Sequence, residues 1–464
     1  VASHLDLGGM MYGYMDVDGD LENIAGVAQE FLNKIKAQAG DQMPPHIKLL
    51  DIKKVMSDIG LDGIEAMGMS SYKNGEMYRN KMYLHVPGGR KGLLKMLGGK
   101  PGAFTAGQIA PADSDLIMEY SINLKAAYDV AGSVVQTVGG PDATRDFQRA
   151  VSESVLDIGM TIADILGKMD TRLTVVGRVH GDRPMPLPEE VPMVLPSVDL
   201  LIAIDDLGWL YEKLSASAKR QMPPEQVAQM FVSGDGFEKV VIPVPDPKLT
   251  EIVQPLLYHH KASGRVFVAS SQAFLDECLA VEKGSSVLES EGYLAAAKDM
   301  PTEGNWLSYV SVDFVREYRK VYGEMMKMAG GGTVGGQEMA IMGMLSSAII
   351  DMAMPESSVG MAGIIVNEPA GIYSVSNAST SMKEGIAAGG VGFMAGMFGG
   401  VASYRSAAKY PMPMVEDAAT AVEIHEIEDA AVKAVEPVPV PEESGPPVEE
   451  LPQINQEATQ EVSE

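Results

Sequence analysis

A single cysteine, Cys278, stands among 464 residues, so no internal disulfide can form. That excludes a small disulfide-stapled secreted domain without excluding an oxidising compartment. Basic residues are also short: 36 Lys and Arg against 63 Asp and Glu, a formal charge of −27. No dense basic patch occurs, which excludes nucleic acid as a partner, because a phosphate backbone needs clustered Lys and Arg. The seven histidines include no HxxxH or HExxH spacing, and His259-His260 project to opposite sides of a strand or a helix. GxSxG, GxxxxGK[ST] and strand-linked GxGxxG motifs are absent. The sequence therefore yields no catalytic residue, no cofactor-binding residue, no metal ligand and no cofactor. The chain begins at Val1 and not at Met, so a removed leader or an upstream segment is expected, and no signal peptide is there to read.

What the chain does contain is a phrase written four times. A short apolar run meets Asp or Asn and passes into an amphipathic helix. The copies are GMMYGYMDV from Gly9, DLIMEYSINL from Asp115, DLLIAIDDL from Asp199 and NWLSYVSVDF from Asn305. Each run suits a strand facing a core. Asp16, Asn123, Asp205 and Asp313 follow, residue types whose side-chain oxygen caps a helix N-terminus. Capping explains the recurrence better than a repeated active carboxylate does. Asp16-Val-Asp18-Gly19-Asp20-Leu-Glu22 lacks the Gly and Glu spacing of a calcium loop and reads as a charged helix start.

A second phrase, strand–turn–helix, occurs as KMYLHVPGGRKGLLKML, GRVFVASSQAFLDECLA and GIYSVSNASTSMKEGIA. Hairpin signals precede each copy, including Lys73-Asn74-Gly75. Cys278 lies on the helix of the middle copy and reads as a small core residue. The fold expected is α+β: repeated modules of mainly antiparallel sheet covered on one face by helices, with a disordered acidic C-terminal tail. Residues 1–183 form an N-terminal half of one full and one partial repeat. The Pro-rich stretch 184–196 is the expected linker, and 197–384 hold two further repeats.

Residues 385–404 are twenty uncharged positions, seven of them Gly and none Leu. The length matches the ~20 residues that cross a hydrocarbon core, and small residues recur at GxxxG spacing. A membrane anchor and a Gly-rich loop are both open readings here. Residues 405–464 read as a disordered Pro/Glu-rich tail. From Pro411 onward there are 14 Asp and Glu against one Lys, with eight Pro.

Methionine is abundant at 32 residues, with clusters between Met325 and Met361. Core filling accounts for these best. An adaptable apolar binding surface comes second and Cu(I) handling a distant third. The Gly-rich 330–336 reads as a hinge, since no Lys-Ser or Lys-Thr follows it.

The combination DLLIAIDDLGWLYEKL, GRVFVASSQAFLDECLA and GNWLSYVSVDFVREY resembles a family of exported bacterial proteins built from repeated α+β modules and known only as a domain of unknown function. The resemblance covers roughly residues 105–380. It implies an extracytoplasmic location, often with a membrane anchor, and carries over no catalytic residue. The expected function is non-enzymatic binding or scaffolding at a bacterial envelope or surface, through an unknown protein or an apolar ligand. Attachment through 385–404 is part of this expectation, and a cytoplasmic location is its runner-up. The alternatives are a carrier holding an apolar ligand between sheet and Met-rich helices, and a hydrolase whose Asp and Glu converge from different repeats.

Overall fold

A computed structural model describes residues 1–40, 43–155, 157–185, 194–244, 246–250, 252–331, 355 and 357–384. The first stretch runs β1 (Met11–Asp16), α1 (Asp20–Ala39), α2 (Pro45–Leu49), α3 (Ile52–Asp58), β2 (Ala66–Asn74), β3 (Met77–His85) and the short β4 (Gly102–Ala103). The second runs β5 (Leu116–Asn123), α4 (Leu124–Val151), α5 (Ile162–Lys168) and β6 (Asp170–Pro184). The third opens with β7 (Pro196–Ile204), α6 (Gly208–Gln221), α7 (Pro224–Met230), β8 (Phe231–Gly234) and β9 (Phe237–Val241). It continues through α8 (Pro247–Thr250), β10 (Leu256–His260), β11 (Arg265–Ala269), α9 (Gln272–Leu279) and α10 (Glu291–Ala296). The last runs β12 (Glu303–Gly304), β13 (Trp306–Val310), α11 (Val312–Gly331), β14 (Met361–Glu368) and β15 (Gly371–Ala378).

Thirteen strands make one antiparallel sheet in the order β1-β2-β3-β15-β14-β13-β5-β6-β7-β11-β10-β9-β8, and β4 pairs with β12 separately. The α+β class is as expected. Its division is not. The 184–196 boundary falls between β6 and β7, which pair from Leu173↔Ile204 to Pro184↔Pro196. The first stretch joins the last through β3 and β15, and the last joins the second through β13 and β5. The halves 1–183 and 197–384 therefore interleave in one sheet and are not separate bodies. The presumed linker joins two neighbouring strands, with residues 186–193 outside the described residues. The Met-rich stretch over 332–354, the hinge beyond Gly331, the 385–404 segment and the 405–464 tail also lie outside them.

Period-two patterning places the core. On β7, Ser197, Asp199, Leu201 and Ala203 are buried on alternate positions. With Ile117, Val176, Phe267, Leu307 and Ile364 they meet Ala106, Ile109, Phe274, Leu275, Cys278 and Ala296 of the covering layer. The opposite face is covered too. Val266 and Val240 pack against Tyr211 of α6, while the neighbouring Phe267 faces α9. Helices thus lie on both faces, correcting the expectation of one covered face.

The helix starts are built differently from one another. Asn123 caps α4, accepting from Ala126 N at 2.9 Å. The other three do not cap. Asp16 accepts from Asp18 N in the preceding turn, Asp205 pairs with Arg265 at 2.5 Å, and Ser311 takes the capping role ahead of Asp313.

Glu119 fastens the covering layer to the sheet. Fully buried on β5, it accepts from Thr105 N (2.9 Å), Ala106 N (2.7 Å) and Arg172 Nη1 (2.9 Å). Burial pushes its pKa up, opposed by these donors. Removing the cation leaves a buried carboxylate with only the neutral donors of Thr105 and Ala106. We expect Arg172→Met to cost about 3 kcal/mol in urea unfolding, with the native secondary structure retained.

Candidate functional site

The α6 stripe Leu207, Leu210, Tyr211, Leu214 and Ala218 follows helical spacing and faces the sheet. Gly208 opens the helix where a Cβ would run into His259 Nε2, so α6 sits close to β10 at its start. Further along, the small side chains of Ser215 and Ala218 do not fill the space above Phe231 and Val240. The result is a cavity of about 270 Å³ lined almost wholly by apolar groups, with Met222 and Met230 at one end. This lies just below the ~300 Å³ at which drug-sized ligands begin to fit. It suits a small apolar molecule or the end of a longer one.

Polar groups stand behind this lining. The buried Tyr211 hydroxyl has no partner at hydrogen-bonding geometry. Burial raises its pKa, and the nearby Glu238 carboxylate raises it further. His259, stacked at a tilt on Tyr211 with centroids 4.9 Å apart, is held neutral by burial, and its Nδ1 is unpartnered. Glu238 is bound by Lys219 and by Ser233. Burial pushes its carboxyl up, but these partners and Ser215 bring it below its ordinary value. The sequence reading placed an apolar ligand against the Met-rich helices. Most of that Met-rich stretch lies outside the described residues, and the apolar cavity found among the described residues lies under α6, beside Ser215 and Ala218.

A second constellation occupies the β6–β7 seam. Arg178 donates to Asp113 (2.8 Å), Asp199 (3.1 Å) and Glu277 (2.8 Å), and lies 5.0 Å over the Phe274 ring. His180 Nε2 lies 2.6 Å from Asp199 Oδ2, and Arg183 donates to Asp199 (3.2 Å) and Ser197 (2.6 Å). Carboxylates from different stretches do converge here, as the hydrolase alternative required. They converge as counter-ions. Burial would lower the Arg178 pKa, yet its carboxylates raise it overall. Burial would raise Asp199, yet His180, Arg178 and Arg183 hold it below the ordinary 3.8. A group so strongly ionised is a poor proton donor at neutral pH.

The residues singled out in the sequence do not assemble. Cys278 is fully buried on the inner face of α9, and burial pushes its thiol up to about 12. His259 and His260 do point to opposite faces of β10, and His260 contacts Ser263 at 2.8 Å. Among the described residues no group of three or more His, Cys, Asp or Glu could hold a metal ion, and no helix is long and apolar enough to cross a membrane. Compared with protein-family models, curated proteins and solved structures, the chain matches none. No enzyme family is indicated.

Two outcomes follow from these geometries. Tyr211→Phe removes an enclosed unpaired hydroxyl and should stabilise the empty protein by about 1 kcal/mol in thermal or urea melts. Asp199 contributes stability above its unfolded pKa and loses it as pH falls through its depressed folded value. Wild-type stability should therefore drop below about pH 4, while Asp199→Asn costs about 2 kcal/mol at neutral pH and shows a shallower acid slope.

Proposed function

We propose that this chain is a non-enzymatic binding protein of the bacterial envelope, built from repeated α+β modules, that holds the apolar part of a ligand in the α6 cavity. The observation carrying this reading is the cavity itself. It is apolar and lies between α6 and the strands β8 to β11, with Leu214, Ala218, Phe231, Val240 and Leu257 in its lining. The module reading rests on the first and last stretches. Each runs outer strand, helix of 20 residues, then a hairpin, with the three strands in one antiparallel meander. The envelope location rests on the family resemblance of residues 105–380, with membrane attachment assigned to 385–404. The scaffold role for a protein partner is served by the same modules.

Titration with an environment-sensitive hydrophobic dye tests the ligand site. A single saturable site is expected. Ala218→Trp, which fills the cavity, should abolish it without lowering the melting temperature, and Leu214→Phe should weaken it. Absence of saturation, or saturation unchanged in both variants, would sink the reading.

A further inference from the structure

We propose that the free edge of β1 and the outer face of α1 are the interface of a two-fold dimer of this chain. The inference is independent of the α6 cavity. β1 is one end of the thirteen-stranded sheet and, among the described residues, pairs only with β2. From Gly8 to Met15 it carries no charge and no Pro, and Tyr12, Tyr14 and Met15 are exposed. Edge strands are ordinarily blunted by Lys, Pro or shortness. The other end, β8, is blunted by shortness, at four residues. β1 shows none of these devices.

α1 carries two apolar faces. Leu21, Ala25, Ala28 and Leu32 turn toward the body. A second stripe at helical spacing, Ile24 (63% exposed), Val27 (69%), Phe31 (66%) and Ile35 (38%), meets solvent. The last stretch shows what such a helix covers. There β13 occupies the place of β1, yet its outer edge is hydrogen-bonded to β5. α11 reaches past that edge to β6, where the Glu317 carboxylate fills the space a Cβ on Gly181 would take. An equivalent reach by α1 covers two strands beyond β1, and the described residues of this chain supply neither.

A second copy supplies both, its own β1 and then its β2. Antiparallel pairing centred on Gly13 sets Tyr12 opposite Tyr14 and Met11 opposite Met15, so no like charges meet. The helices would then run antiparallel. Asp20 in the first turn of one α1 comes beside Lys34 near the end of the other. On a chain of charge −27, a strand charged only at its last position, Asp16, and a self-complementary helix fit another copy better than they fit a basic partner.

Sedimentation and light scattering of the full chain should show a concentration-dependent dimer. Val27→Glu with Phe31→Glu, and separately Tyr14→Lys, should each weaken it about tenfold or more with unchanged thermal melts, since all three side chains are exposed. Gly13→Cys should oxidise to a disulfide-linked dimer, which the wild type with only buried Cys278 cannot do. A monomer at every concentration overturns the proposal. Fast amide exchange over 11–15 would then mean an open edge, and slow exchange an edge covered by another segment. A dimer that both sets of substitutions leave intact overturns it as well.

Discussion

Backbone pairing between stretches far apart in sequence is the constraint on which this structure rests. Three seams, β3–β15, β13–β5 and β6–β7, convert four strand-and-helix stretches into one sheet. Away from the two ends, each strand of the sheet is paired on both sides, and the buried N–H and C=O groups there have no aqueous alternative. Loss of one seam would strand a row of these groups and separate the core that Leu307, Ile117 and Leu201 share across two of them. The charged cluster depends on the same constraint. Arg178, His180 and Asp199 meet only because β6 and β7 run side by side in the observed register, with Arg178 directly opposite Asp199.

Polar burial is arranged around these seams in complementary ways. Glu119 and Arg172 tie the sheet to the layer at Thr105 and Ala106. Asp115, at the head of β5, accepts from Val179 N and from Ser311, the residue that caps α11. Asn367 and Asn305 donate to the carbonyls of residues 97–100. Glu119, Asn305 and Asn367 each reach a segment that the backbone ladder of the large sheet does not join to their own strand. They restrict the covering elements to one position, a specificity that apolar packing alone supplies poorly.

Local features of this fold were legible in the sequence. The four apolar runs are β1, β5, β7 and β13, and a helix follows each. The signal near Lys73-Asn74-Gly75 is the β2–β3 hairpin, with Asn74 opposite Met77. Cys278 is a core residue. Strand order was not legible, because antiparallel modules can join by either edge, and nothing in 184–196 distinguishes a linker from a hairpin connection. Capping was misread at Asp16, Asp205 and Asp313 because Asp serves turns and ion pairs as readily as N-termini. The α6 cavity is a deficit of side-chain volume at Ser215 and Ala218. A stripe pattern records which positions face inward and does not record whether they fill the space. His180 gave no spacing signal, since its partner Asp199 becomes its neighbour only through the β6–β7 seam.

The β3–β15 pairing also sets a timetable. The residues that cover the β3 edge are made roughly 290 positions after it, so during synthesis the first meander waits with two unpaired margins. Closure of so large a loop makes the sheet a late event whatever the speed of its hairpins. Until then the nascent chain displays Met- and Tyr-rich ribbon that can pair with a neighbour on the same message. For such a chain, yield on heterologous expression should follow the rate of translation more closely than the stability of the finished protein.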